Sequence, residues 1–285
     1  MIKGYTKQTI IICFLLQGIA LSSRAQEQQM WQRYHDKCRR EASIIDTLPS
    51  KLEKALHWSP TINKEQKEVI RYILWNMVYV EGGTANLGDN NNYPVDVASF
   101  FINRYEVSQD EWYVIMGENP SNQHRRNYPV DQVNWFNAQR FTQKLSQLSG
   151  LPFRLPFEAE WEYAARGGLK TKNFIYAGSN NAEQVAWFRE KYYNTYVSKE
   201  TGTKKPNELG LYDMSGNVYE WCMDWYDRKV PFTGNIAPVI SENKVLRGGS
   251  YYTFEKYCKV TSRYGVNPQR WDIDYGLRLV MSLPN

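Results

Sequence analysis

Near the start of the chain, apolar residues form a run from Ile10 to Leu21. Lys3 and Lys7 precede the run, and Ser23 and Ala25 follow it at the small-x-small spacing of a cleavage site. This arrangement is typical of a secretory signal peptide, and the run is too short to span a bilayer. We therefore predict a signal peptide over residues 1–25. The mature protein is expected to be exported, in the periplasm or outside a bacterial cell, with no membrane-spanning segment after cleavage.

Residues 26–75 interleave charged and apolar positions in a way that predicts two or three short helices. The apolar positions are Trp31, Tyr34, Leu52, Leu56, Val69, Ile70 and Ile73. From residue 76 to residue 285 the pattern changes to short β-rich runs separated by Gly, Asn and Pro. This change predicts a loop-rich α+β domain that is preceded by short helices, with a boundary near Trp75.

One helix is predicted inside the second region, in "WFNAQRFTQKLSQLSG". Ala138, Phe141, Leu145 and Leu148 recur at steps of three and four residues, which places them on one face. Gly150 follows the last of them and supplies a C-terminal stop.

A second helix is predicted in "FEAEWEYAARGG", with Glu158 and Glu160 in its first turn and Gly167 at its end. Phe157 stands at the N-cap position, where a Thr or Ser side chain would cap the helix. Glu158, Glu160 and Glu162 are two residues apart, so they scatter around a helix. We expect them on a solvated face and not in an acid–base site.

The formal charge is +5, and removal of residues 1–25 takes away three positive charges and no negative one, which leaves +2. This small charge argues against nucleic acid or an anionic membrane as a partner. The mature chain would keep Cys38, Cys222 and Cys258, an odd number that permits at most one internal disulfide.

Five blocks occur in a fixed order: "NMVYVEGG", "PVDQVNWFNAQRF", "FRLPFEAEWEYAARGG", "KPNELGLYDMSGNVYEWCMDWY" and "LRGGSYY…YGLRLV". In order and spacing they resemble the formylglycine-generating enzyme (sulfatase-modifying factor) family from Met77 to Val280. The resemblance implies a compact mixed α+β fold related to C-type lectins, with little regular secondary structure.

Catalytic members of that family oxidise a sulfatase cysteine to formylglycine with O2 and a copper(I) ion held by two cysteines. Counted from Ser250 of the "GGS" turn, the first cysteine position holds Thr253 and the second holds Cys258. A neutral hydroxyl is a poor ligand for copper(I), so Thr253 is a degenerate position and copper is not expected. If the chain is nevertheless a formylglycine-generating oxidase or a related oxidoreductase, Cys258 carries the reaction beside Ser250 and Thr253.

Cys222 follows a block that lines the same region of the fold in relatives, so the resemblance places it near Cys258. A disulfide between Cys222 and Cys258 is the favoured use of the two thiols, and a copper-binding pair is the alternative. Cys38 would then be left over. His35, His57 and His124 are too widely separated to suggest the three-histidine iron site of related sulfoxide synthases.

The resemblance also implies calcium as a structural ion. Its ligands would be the side chains of Asp213 and Glu220 and the carbonyl groups of Gly216 and Val218. Two carboxylates and two carbonyls suit a hard cation such as calcium.

The C-terminal part of the domain is rich in aromatic residues and arginine, which mark recognition surfaces. The predicted binding face consists of Tyr219, Tyr251, Tyr252, Phe254, Tyr257, Arg263, Arg270 and Trp271. We therefore expect a calcium-stabilised binding or envelope-assembly module, a pseudoenzyme with a protein or glycan ligand. The oxidase is the alternative.

Overall fold

A computed structural model describes residues 52, 54–189, 197–228, 232 and 242–282. These residues belong to one compact unit, residues 51–285. The predicted signal peptide, the helical segment up to residue 50 and Cys38 lie outside the described residues. The predicted boundary near Trp75 lies inside this unit.

Helix α1 (Lys64–Trp75) confirms the last part of the predicted helical segment. Asn63 caps its N-terminus in a reciprocal pair with Gln66. Its apolar stripe, which includes Ile70 and Ile73, is buried against the rest of the unit. The side-chain amide of Gln66 donates to the carbonyl of Val114, so this helix is part of the domain.

The described residues form three sheets. The first has the order β1-β4-β10-β5, with all neighbours antiparallel. Its strands are β1 (Met77–Val80), β4 (Phe100–Asn103), β5 (Phe153–Arg154) and β10 (Val280–Ser282). The second sheet is an antiparallel pair of β2 (Gly83–Leu87) and β3 (Tyr93–Val97), joined through a 3₁₀ turn at Asp89–Asn91.

The third sheet carries most of the residues discussed below. Its strands are β6 (Tyr219–Trp225), β7 (Lys244–Arg247), β8 (Arg263–Val266) and β9 (Tyr275–Gly276). The order is β8-β7-β6-β9, with β6 and β9 parallel and the other pairs antiparallel. Strand β9 lies near the end of the chain, so its pairing brings the C-terminal segment beside the start of β6.

The remaining helices are α2 (Gln109–Met116), α3 (Trp135–Ser149), α4 (Glu158–Ala165) and the single turn α5 (Ala182–Val185), with 3₁₀ turns at Gly168–Lys170 and Glu255–Tyr257. Helix α3 confirms the first predicted helix. Ala138, Phe141 and Leu145 are fully buried on one face, and Gly150 ends the helix in the left-handed conformation. No helix within the described ranges is long and apolar enough to cross a bilayer.

Helix α4 exists as predicted, but the expectation of a solvated glutamate face is wrong. Glu158, Glu160 and Glu162 are all buried, because the helix is enclosed by β2, β3, β6 and β7. Each glutamate is neutralised by arginine. The carboxylate of Glu158 accepts from Arg263, at 2.5 and 2.7 Å. The other pairs join Glu160 to Arg154, and Glu162 to both Arg166 and Arg247.

The N-terminus of α4 is capped without help from the Phe157 side chain. An Asp224 carboxylate oxygen on β6 accepts from the Glu158 backbone N–H at 2.6 Å. Glu160 accepts from the Phe157 backbone N–H at 2.8 Å. The cap that the sequence lacks locally is therefore supplied by a strand 66 residues further along the chain.

Candidate functional site

The turn after β7 is the feature on which the site is built. Gly248 and Gly249 both adopt positive φ, at +92° and +74°. A Cβ atom on Gly249 would lie 2.7 Å from both the Cys258 thiol sulfur and the carbonyl oxygen of Tyr257. Only glycine permits so close an approach, and the turn thereby brings Thr253 close to Cys258.

Thr253 and Cys258 form the position where the resemblance predicts a metal site. The Thr253 hydroxyl accepts from the Ser250 backbone N–H at 2.9 Å and donates to the Ser250 carbonyl at 3.1 Å. Burial raises the pKa of the Cys258 thiol to about 12, although hydrogen bonding with Thr253 and Ser250 acts in the opposite direction. The thiol is therefore protonated at neutral pH.

The predicted disulfide between Cys222 and Cys258 is wrong, because both cysteines are free and buried. Cys222 lies on β6 in the main apolar core with Trp161. Cys258 lies in a separate small cluster with Tyr176 and Val185. The two thiols occupy different clusters, so the structure does not join them in a disulfide.

Ser250 has a structural place in the turn. It is fully buried, its hydroxyl donates to the Asp274 carboxylate, and it accepts from the Tyr252 backbone N–H at 3.1 Å. Ser250 therefore connects the turn to the segment that leads into β9.

A cavity of about 360 Å³ opens beside this turn. Its lining combines five tyrosines, two aspartates, two hydroxyl residues and one arginine. They are Tyr219, Tyr252, Thr253, Tyr257, Ser262, Arg263, Tyr264, Asp272, Asp274 and Tyr275. Cys258 is not among these residues, because its thiol is covered by the turn.

The tyrosines give the cavity aromatic walls in two orientations. The rings of Tyr219 and Tyr264 stack with centroids 5.7 Å apart and planes at 28°. The ring of Tyr275 stands nearly perpendicular to that of Tyr219, at 84° and 6.1 Å. Burial raises the pKa values of Tyr219 and Tyr275, so their hydroxyls stay neutral, and a hydrogen bond joins Tyr219 to Thr253.

The structure brings together only part of the predicted binding face. Tyr219, Tyr252, Tyr257 and Arg263 line the cavity. Tyr251 instead lines a smaller cavity of about 80 Å³ that also borders Asp131. The remaining three, Phe254, Arg270 and Trp271, are exposed but lie outside the cavity lining.

Arg263 lines the cavity, but its guanidinium group is already engaged. Two of its nitrogens donate to the Glu158 carboxylate, and the third donates to the Asp227 carbonyl at 2.8 Å. These contacts fix the position of the Arg263 guanidinium group in the cavity wall, and its role in recognition stays a prediction.

The residue that sequence reasoning missed is Asp274. It is only 5% exposed, and burial, with repulsion from Asp272, raises its pKa to about 6. The signal was present in "WDIDYG", where two aspartates alternate just ahead of β9. In the structure a turn holds the two aspartates, because the Tyr275 backbone N–H donates to the Asp272 carbonyl at 3.2 Å.

Of the two carboxylates predicted to bind calcium, only Asp213 has an oxygen that is free to bind a cation. Asp213 is buried, its Oδ2 accepts from Gly202, and its Oδ1 has no hydrogen-bond partner, which fits a cation. Glu220 does not fit, because Arg278 and Trp161 already donate to its carboxylate, each at 2.7 Å. Calcium therefore stays a prediction.

Acidic groups crowd around this pair. Glu106 is buried beside Asp213 and Glu220, and burial followed by their repulsion raises its pKa well above the usual value. Burial also raises the pKa of Asp213 to about 6. Arg278 is the cation that lowers the pKa of both groups, so it holds the acidic cluster together.

Comparisons with known proteins agree with the five sequence blocks. The model of the sulfatase-modifying factor enzyme 1-like domain matches residues 64–283. The chaperone protein LppX of Paenibacillus barcinonensis is 31% identical over 262 residues, which cover 73% of this chain and 89% of LppX. The formylglycine-generating enzyme of Streptomyces coelicolor is 33% identical over 171 residues, or 54% of this chain and 52% of that enzyme. The chain thus spans about half the length of that enzyme.

Two solved structures have a similar fold. Treponema denticola variable protein 1 has a TM-score of 0.63 at 29% identity, with 73% of this chain and 95% of that chain covered. CarF has a TM-score of 0.62 at 26% identity, with 73% and 98% covered. Both superpositions extend over nearly the whole of the other protein.

Proposed function

We propose a function from the premise that this chain belongs to the sulfatase-modifying factor enzyme 1-like family. The chain is, in this proposal, an exported binding or envelope-assembly module and not a formylglycine-generating oxidase. Its ligand occupies the tyrosine-lined cavity beside the turn at Ser250.

The observation that carries the proposal is the pairing of Thr253 with Cys258. Copper(I) is bound tightly by soft thiolates, and here one position offers a hydroxyl. The other offers a thiol whose pKa burial raises to about 12. The oxidase needs two cysteine ligands at this position, and the chain supplies one.

The cavity supports the binding half of the proposal. It combines an aromatic lining with a few polar groups, as ligand sites commonly do. The similarity to a protein named as a chaperone favours a polypeptide ligand. The signal-peptide pattern of residues 1–25 supports export.

A structural calcium ion is a secondary part of the proposal. The unpartnered Asp213 Oδ1 and the carbonyls of Gly216 and Val218 would supply oxygen donors. Glu220 is left out, because its carboxylate is bound by Arg278. Calcium would stabilise the loop between the buried acids without taking part in chemistry.

The test is a copper(I) titration of the reduced protein, monitored through the thiolate-to-copper absorption band. We expect no stoichiometric binding by the wild type. The variant Thr253→Cys restores the second sulfur and is expected to gain copper affinity, and Thr253→Ser serves as the matched control without sulfur.

The rival function is the oxidase, which the similarity to formylglycine-generating enzymes favours. Tight one-to-one copper binding by the wild type that disappears in Cys258→Ser would contradict the binding proposal. Oxygen-dependent conversion of the cysteine in a synthetic peptide to an aldehyde would then establish the oxidase.

A further inference from the structure

The buried glutamates of α4 and β6 are paired with arginine, but the aspartates of the cavity are not. Glu158 and Glu162 contact Arg247, and Glu220 contacts Arg278. Within the described ranges no cation forms an ion pair with Asp274. The only side-chain donor that the structure gives it is the Ser250 hydroxyl. A buried carboxylate without a cation is costly, so this position lacks a partner that the chain provides elsewhere.

Asp272 adds a second carboxylate to the same wall. It is half-buried, and its Oδ1 accepts only from the adjacent Ile273 backbone N–H at 2.8 Å. The one cation in the lining, Arg263, is bound to Glu158. The cavity therefore presents two acidic groups and no available positive charge of its own.

The aromatic rings show a matching pattern. At the rim, Tyr252 already stacks with Arg189 at 5.8 Å, and Tyr257 with Lys256 at 4.9 Å. Across the part of the chain that the structure describes, no cation lies over Tyr219, Tyr264 or Tyr275. The tyrosines without a cation are the ones that form the perpendicular walls.

We propose that this cavity recognises a basic side chain of a partner polypeptide, with its cationic nitrogen among Tyr219, Tyr264 and Tyr275 and close to Asp272 and Asp274. The inference deepens the proposed binding function and rests on it. Aromatic faces attract ammonium and guanidinium groups through the ring quadrupole. The two carboxylates add a charge-assisted hydrogen-bond acceptor.

The two carboxylates of the cavity disfavour anionic ligands and neutral glycans. An anionic ligand would meet Asp272 and Asp274, while the nearby cations Arg189 and Lys256 already lie over tyrosines at the rim. A neutral glycan would use the ring faces but would leave Asp274 without a positive partner. A lysine or arginine side chain satisfies both the rings and the carboxylates, and its alkyl stem suits the apolar wall.

The test uses three acetylated and amidated tripeptides, Gly-Lys-Gly, Gly-Arg-Gly and Gly-norleucine-Gly, titrated into the full chain and followed by NMR shifts. We expect the basic peptides to bind about tenfold more tightly than the norleucine peptide, which corresponds to about 1.4 kcal/mol. Added salt is expected to reduce the difference, because the attraction is partly electrostatic.

The variants Asp274→Asn and Tyr264→Leu are expected to remove the preference for the basic peptides. Asn keeps a hydrogen-bond acceptor for Ser250, and Tyr264 is 47% exposed, so both variants should fold. Tyr113→Leu is the matched control, because Tyr113 is 50% exposed and lies on α2 outside the cavity lining. It should bind like the wild type.

Binding of the basic peptides no tighter than the norleucine peptide would overturn cation recognition. A neutral trisaccharide, cellotriose, provides the second probe. If cellotriose binds and Tyr264→Leu abolishes its binding, the cavity is a glycan site: cation recognition fails while the proposed binding function stands. The proposed function itself fails only through the copper titration described above, so the two failures are distinguishable.

Discussion

The buried ion pair between Glu220 and Arg278 predicts a large loss of stability in Arg278→Met. The guanidinium is fully buried and donates to both oxygens of Glu220. It also donates to the carbonyls of Asn103 and Arg104, at 3.0 and 2.9 Å, and of Tyr212 at 2.7 Å. Methionine fills similar space but provides none of these donors.

The size of the stability loss depends on the Glu220 carboxylate, which the substitution leaves buried without its arginine. Glu220 keeps one side-chain donor, Trp161 Nε1, and becomes a buried carboxylate beside Asp213 and Glu106. Removal of one partner of a buried ion pair costs about 3–5 kcal/mol. Proton uptake by the crowded carboxyls limits the loss, so we expect a value within this range and not the sum of the separate hydrogen bonds.

The assay is equilibrium unfolding in urea, monitored by tryptophan fluorescence and far-UV circular dichroism. Arg270→Met is the matched control, because Arg270 is exposed, and surface substitutions usually change stability by less than about 0.5 kcal/mol. The double variant Glu220→Gln/Arg278→Met should lose less stability than the sum of the losses in the two single variants. The reason is that the double variant no longer contains a buried Glu220 carboxylate without its arginine. A loss below about 1 kcal/mol for Arg278→Met, or strictly additive losses, would refute the assignment of Glu220 to an ion pair.

Three further predictions concern titration, reactivity and metal. Burial raises the pKa of Asp224 to about 7, so at mildly acidic pH the folded state binds a proton that the unfolded state has lost. The stabilisation that this proton gives the folded state is present at low pH and disappears as the pH rises through about 7. The urea midpoint of the wild type should therefore be higher at about pH 5.5 than at about pH 7.5, and this difference should be smaller in Asp224→Asn. A variant that shows the same pH difference as the wild type would contradict this account. Iodoacetamide should modify Cys222 and Cys258 only after unfolding, because both thiols are buried and burial raises their pKa values. Peptide mass mapping would measure the modification, and rapid labelling of the native protein would contradict the prediction. Calcium should raise the thermal midpoint of the wild type but not of Asp213→Asn, and the absence of any shift in the wild type would end the calcium proposal.

The parts of the fold that the sequence predicts are those whose cause is local. Helix α3 follows from apolar positions spaced along one face and from the glycine at its end. The turn at Gly249 follows from a glycine pair that no other residue type can replace. In both cases the deciding residues lie within one short stretch of chain.

The failures arise where the deciding partner is distant in the chain. Spacing alone placed Glu158 and Glu162 in water, whereas Arg247 and Arg263 arrive from β7 and β8 to neutralise them. The missing cap at α4 is supplied by Asp224 of β6. Local pattern carries no information about such partners, because the order of strands in the third sheet decides which charges meet.

The same reasoning separates the scaffold of the site from its chemistry. The Thr253 hydroxyl completes both hydrogen bonds of the turn to Ser250, so the turn and the cavity beside it persist without a second sulfur. Exchange of sulfur for oxygen at this one position removes a soft metal ligand and leaves the surrounding tyrosines and Asp274 in place. A domain of this kind can lose the oxidation chemistry and keep a shaped, acidic and aromatic cavity. Under the proposed function, the groups that line the cavity, and not the thiol beneath the turn, determine what the protein binds.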